Sequence, residues 1–331
     1  MIARLPHFPH LISALQRFTP DVFAICMGTG MLSLLLPHLP GGQQLGQVLW
    51  VFNGLLFLVL TALWMLQMVL EPASFQNMLR HPVQSLFVGT YPMALATIVN
   101  GLLTYGFQMW GMAAIHWATV LWGVDVALSL LSGLLLPYLM FSRQEQPLSQ
   151  MTALWLVPIV PAEVAGVSAA QLIPHVHEAL AGGLFVAGYL LWACSVPLAF
   201  MVLTVLLLRL TQHHLPSRER TISMFLPVGP LATGAQGLLQ MGEVAPGVLK
   251  NLSLIEFAPV FQGVGMLGGI TLWGTALWWL LLAVALTLRT LKQGLPFNLG
   301  WWGLTFPLGV FVATAFSLEE ATHLKGFSLL T

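Results

Sequence analysis

Apolar and polar stretches alternate along the chain on the scale of a bilayer. A hydrocarbon core of about 30 Å needs roughly 20 apolar residues of helix. Nine runs reach or approach that length, at 20–36, 45–70, 83–103, 109–141, 152–173, 179–210, 222–241, 257–291 and 298–318. The fourth is longer than a perpendicular crossing requires, which implies tilt or projection beyond the membrane. The pattern therefore divides the chain into a short N-terminal segment, 1–19, a transmembrane domain, 20–318, and a tail, 319–331. The tail contains no tenth run.

The runs are of two kinds. The even ones are rich in Leu and Trp, as in Leu55 to Leu66 and Trp278 to Leu288, and suit contact with lipid. The odd ones are rich in Gly, Pro, Thr and Ala. A proline inside a helix removes one backbone hydrogen bond, and freed backbone groups at membrane depth must be covered by protein or line a wet cavity. The odd runs are thus expected to form an inner layer and the even runs an outer one. The prolines also recur. Pro92, Pro161, Pro230 and Pro307 are separated by 69, 69 and 77 residues. An earlier copy is arguable around Ile25-Cys26-Met27-Gly28-Thr29-Gly30, with Cys26 in the proline's place. A period near 70 residues holds two membrane helices and their loops. The reading is an all-α polytopic membrane protein of five quasi-repeated hairpins, whose kinked inner helices enclose a central pore, with the tenth helix missing.

Composition agrees. Of 331 residues, 57% are hydrophobic and 7% charged, with mean hydropathy +0.86, against about 25% charged in a soluble domain. Net charge is zero, so nucleic acid is not expected as a partner. Nine of the eleven Lys and Arg fall on one side of the runs: Arg4, Arg17, Arg80, Arg143, Arg209, Arg218, Arg220, Arg289 and Lys292. Lys250 and Lys325 fall on the other. Cytoplasmic loops collect positive charge, so the N-terminus is expected inside. The first run ends in no small-residue cleavage site, so a removed signal peptide is not expected.

Candidate chemistry is sparse. No enzyme motif, phosphate-binding loop or cofactor site is evident. His175 with His177 and His213 with His214 lie on opposite sides, so a shared metal is not expected, and Cys26 and Cys194 suggest neither metal nor disulfide. Glu163 and Asp125 lie within runs, where ionisable groups are functional candidates. Glu163 is read either as a proton-coupled group at the pore or as a protonated acid bonded to a neighbouring helix. Asp125 is read either as such a group or as a clamp between helices. Asp21 has the position of a helix N-cap. If the hairpins are symmetric, Ile25, Tyr91, Val160, Gly229 and Phe306 meet at one level. Tyr91 and Phe306 are then the bulky members, either constricting the pore or packing against neighbours. Gly28, Thr29, Thr97 and Thr233 are expected to line it. No inner run holds a central Lys or Arg, so partial positive charge must come from helix ends, which suits weak binding and fast passage.

Several segments together resemble one family. Phe23-Ala24-Ile25-Cys26-Met27-Gly28-Thr29-Gly30 resembles the first-span signature of the tellurite-resistance and dicarboxylate transporters. That family is related to the plant slow anion channels and includes fungal sulfite efflux pumps and malate permeases. His81-Pro82-Val83-Gln84-Ser85-Leu86-Phe87-Val88-Gly89-Thr90-Tyr91-Pro92-Met93 is similar to the third-span entry of the sulfite pumps. Trp155 to Val164, Pro227-Val228-Gly229-Pro230 and Thr305-Phe306-Pro307 resemble the fifth, seventh and ninth spans.

The resemblance implies five hairpins around a pore, commonly in a homotrimer. It places the family's occluding phenylalanine on Phe306 and a second aromatic position on Tyr91. It further implies passage of small anions through a plasma membrane (the inner membrane of a bacterium). Sulfite or hydrogensulfite efflux stands first. Malate-like dicarboxylates, or monovalent anions such as chloride and nitrate, are the alternatives. A membrane enzyme would need a convergent polar constellation, and a scaffold would not need kinked inner helices.

Overall fold

The computed structural model describes residues 9–213, 215, 217–292, 294–296 and 299–327. Arg4, His7 and His214 lie outside the described residues. The described chain is helical. A short helix α1 (Pro9–Arg17) leads into α2 (Phe23–Leu35), α3 (Gly42–Leu70) and a second short helix, α4 (Pro72–Arg80). Next come α5 (Thr90–Gly101), α6 (Phe107–Trp110), α7 (Met112–Arg143), α8 (Pro161–Leu172) and α9 (Glu178–His213). The chain continues through α10 (Val228–Asn251), α11 (Ala258–Leu291) and α12 (Thr305–Thr322).

Eight helical segments among the described residues are long and apolar enough to cross a membrane. The fifth of the nine runs, 152–173, is not one helix. It forms a 3-10 turn at Ala153–Leu156, a turn through Val160, and then α8. Pro158 and Pro161 account for the break, because the residue before a proline is pushed out of the α region and the proline itself donates no hydrogen bond. The broken backbone is tolerated because α8 packs among α5, α7, α9 and α10, so protein rather than lipid covers it.

The prolines do not kink the inner helices at mid-length, as the sequence suggests. Pro161 opens α8, and Pro92, Pro230 and Pro307 are each the third residue of their α-helix. Each follows a tighter 3-10 stretch, at Gln84–Gly89, Arg218–Phe225 or Leu299–Leu304. The first inner span repeats the plan, with a 3-10 turn at Pro20–Val22 before α2. In the first turn of an α-helix the missing N–H has no partner to lose. The prolines therefore mark where 3-10 gives way to α.

Five helices close a ring. α2 packs on α5, α5 on α8, α8 on α10, α10 on α12, and α12 back on α2. The other long helices lie outside it: α3 against α2 and α5, α7 against α5 and α8, α9 against α8 and α10, α11 against α10 and α12. Protein buries only 22–33% of the outer spans but 44–89% of the long inner ones. Small residues bring the inner helices together. A Cβ on Gly28 would collide with Thr305 of α12, and one on Gly30 with Thr97 of α5.

Each outer helix is also tied to the ring by an indole. Trp50 donates to the Ile98 carbonyl (3.4 Å), Trp122 to Ala165 (2.9 Å), Trp192 to Gly234 (2.9 Å) and Trp273 to Phe311 (3.1 Å). A buried indole N–H without a partner is costly, so these bonds fix the depth of each outer helix against its inner neighbour.

Candidate anion pathway

Two cavities lie inside the ring, one beyond the other, and all five inner spans contribute to both, the third of them through Val157 and Val160 just before α8 at the first cavity and through α8 itself at the second. The first, of about 530 Å³, is walled by the beginnings of those helices: Ala24 and Met27, Thr90 and Met93, Val160, Gly229 and Pro230, and Phe306 with Pro307. The second, of about 430 Å³, takes residues a turn or more further along, including Thr97, Val164, Thr233 and Val310. Phe306 lines both, and no other described residue does. Its ring is 4% exposed and stands between the two spaces.

The first cavity is called inner, because Arg220 and Asp21 line it on the basic side of the chain. Five α-helix N-termini meet around it, and the end of a helix carries partial positive charge from unpaired N–H groups. Its wall is otherwise mainly apolar. Asp21 makes no N-cap for α2, whose cap position is Val22. Instead it accepts a short hydrogen bond from the Thr19 hydroxyl.

The outer cavity is the more polar of the two. Asn100, Gln236 and Thr233 reach it from the inner helices, and His38, His175 and Glu320 also line it. His38 stacks on Phe316 with ring centroids 4.6 Å apart.

The candidate residues divide. Val160, Gly229 and Phe306 come together around the inner cavity, and Thr97 and Thr233 line the outer one. The open face at Gly229 is real space, since a Cβ there would meet only Pro307, at 3.6 Å. Gly28 serves helix packing. Thr29 is buried and lines neither cavity.

Tyr91 and Ile25 are not at the constriction. The Tyr91 ring packs 4.8 Å from Phe23, 5.0 Å from Phe57 and 5.1 Å from Trp64. On α5 the cavity-facing residues are Thr90, Met93, Thr97 and Asn100, spaced three to four apart as one helix face requires. Tyr91 falls off that face and meets the outer helix. The same geometry sets Ala24 and Met27, rather than Ile25, on the cavity wall.

Glu163 and Asp125 are buried, at 1% and 0% exposed, and neither lines a cavity. The Asp125 carboxyl oxygens and the Ser129 hydroxyl have no hydrogen-bond partner. Ser195 of α9 lies beside Glu163. Both acids therefore sit behind the ring, between helices. The sequence reading missed Asn100, Gln236 and Ser317. Their signal was position, since each continues the i, i+3 or i+4 face begun by Thr97, Thr233 or Val310.

A ring of membrane helices around two in-line cavities, closed between them by one aromatic side chain, defines a channel-like membrane transporter. The model of the voltage-dependent anion channel family, SLAC1, matches residues 17–331. The sulfite efflux pumps SSU1 of Arthroderma benhamiae and Trichophyton rubrum are each 34% identical over 327 residues, covering 96% of this chain and 86% of theirs. A putative malic acid transport protein of Schizosaccharomyces pombe is 22% identical over 303 residues, 88% of this chain and 69% of its own. The chain belongs to the SLAC1 family of anion channels and transporters, and it is a multi-pass membrane transporter, not an enzyme.

Proposed function

We propose that this protein releases sulfite, as sulfite or hydrogensulfite, from the cell through the two cavities, with Phe306 as the closure between them. The observation that carries the reading is that Phe306 is the one described residue lining both cavities, in a chain 34% identical to sulfite efflux pumps. An anion enters from the basic, cytoplasmic side. It passes the helix N-termini around Val160 and Gly229, crosses at Phe306, and leaves by Thr97 and Thr233. Partial charges hold it weakly, as conduction requires. The transport unit is 20–318, the membrane is the plasma membrane with the N-terminus inside, and the assembly is a homotrimer. The segregation of Lys and Arg supports the orientation.

The test is flux from liposomes holding the purified protein, loaded in turn with sulfite, chloride, nitrate and malate. Sulfite should move fastest. Faster malate would favour the dicarboxylate reading instead.

A further inference from the structure

Resting on the transport reading, we propose that the inner cavity is a binding site for amphipathic monoanions, a sulfonate or carboxylate head on an apolar body. Such a molecule enters from the cytoplasmic side and blocks the path before it reaches Phe306.

The wall of this cavity suits more apolar matter than a small anion brings. Its volume, about 530 Å³, falls within the roughly 300–1,000 Å³ of small-molecule pockets. Met27, Met93, Val160, Leu226 and Phe306 face it, one from each inner span. Among the described residues of the wall, only Asp21, Thr90, Arg220 and Ser223 have polar side chains. Most of these are committed elsewhere. The Thr90 hydroxyl is shared between the carbonyls of Pro20 and Phe87, at 2.8 and 2.7 Å. The Ser223 hydroxyl donates to the Arg220 carbonyl at 2.7 Å, and Asp21 accepts from Thr19. A sulfite ion here finds few side-chain donors and keeps most of its water. Water against an apolar wall is better off in bulk, so an apolar body that displaces it binds favourably.

Charge sets the head of the ligand. Arg220 is exposed at the cytoplasmic rim, and a guanidinium offers paired N–H groups to an oxyanion. Asp21 is the other charged group of the wall among the described residues. It opposes a second negative charge, which restricts the class to monoanions. A sulfonate presents three oxygens on sulfur, as sulfite does, so its head can follow the course of the substrate. The outer cavity is more polar, and Glu320 but no Lys or Arg lines it among the described residues. The same molecule presented from outside meets no matching site.

The experiment uses inside-out and right-side-out membrane vesicles from cells making the full chain, with initial sulfite flux read against vesicles lacking it. The probes are butane-, hexane- and octanesulfonate, singly charged throughout. At the cytoplasmic face, the concentration that halves flux should fall about fourfold for each CH₂ added, the worth of burying one methylene. From the external face the block should be much weaker. Octyltrimethylammonium, with the same chain and the opposite charge, should not block. Leu226→Asn and Val83→Asn each put an amide into the wall from a different span. Each should raise the half-blocking concentration of octanesulfonate severalfold, measured against that variant's own unblocked flux. An effect exerted through the lipid would be the same in both variants as in wild type, and that result overturns the inference. Block that ignores chain length, equals itself from both faces, or is matched by octyltrimethylammonium also overturns it, and the transport reading stands. No sulfite flux in wild-type protein overturns both.

Discussion

The inner and outer cavities are built by the same five spans and differ in chemistry. The inner one is mainly apolar, and its favourable potential comes from the ends of five α-helices. The outer one presents amide and hydroxyl side chains further along those helices. The difference follows from where the ring crosses from 3-10 to α structure. At the crossing, prolines and small residues leave backbone as the feature that matters. Beyond it, regular α-helix projects side chains inward every third or fourth residue, so sequence can tune the site. In the proposed function the two halves are successive parts of one path, and Phe306 separates them.

The largest effect should come from removing that separation. Phe306→Ala should merge the cavities and raise anion flux about tenfold, equivalent to a barrier lower by roughly 1.4 kcal/mol, with preference for anions over cations retained. Single-channel recording or liposome flux decides it. Loss of flux in folded protein would mean the ring holds α12 in place and does not close the path.

A smaller effect is expected at the inner mouth. Arg220→Gln should lower flux severalfold at low ionic strength and hardly at high salt, because a rim charge acts by steering, which salt screens. A loss that persists in high salt would make Arg220 part of the permeation site and blur the contrast between the halves.

The smallest effect on flux should be at Tyr91. Tyr91→Ala leaves a void among Phe23, Phe57 and Trp64 and should cost about 3 kcal/mol of stability, read by thermal unfolding in detergent. Flux per folded molecule should stay near wild type, and in the double variant with Phe306→Ala the two effects should add. A large rise in flux from Tyr91→Ala alone would return this ring to the constriction.

Hydrophobic run length and the contrast between Leu-rich and Gly/Pro-rich stretches were enough to separate outer helices from inner ones, and the place before each repeated proline singled out Val160, Gly229 and Phe306. These are local properties, because lipid and protein impose different compositions on a helix. Helix phase is less legible, since the break before each helix shifts its register. Five residues drawn from equivalent sequence positions, Ile25, Tyr91, Val160, Gly229 and Phe306, were expected at one level, yet two of them turn away. A rotation of one residue is about 100°, enough to carry Tyr91 from the cavity into an aromatic cluster.

The sequence by itself determined that this chain lives in a membrane and which helices face inward, because each depends on neighbours along the chain. Only the tertiary structure decided that Phe306 stands alone between two spaces, and that Glu163 and Asp125 lie behind the ring. It likewise decided that Trp50, Trp122, Trp192 and Trp273 each clasp a carbonyl of the adjoining inner helix. Those facts depend on the angle at which one helix meets another. Packing sets that angle through contacts such as Gly28 against Thr305 and Gly30 against Thr97, between residues far apart in the chain.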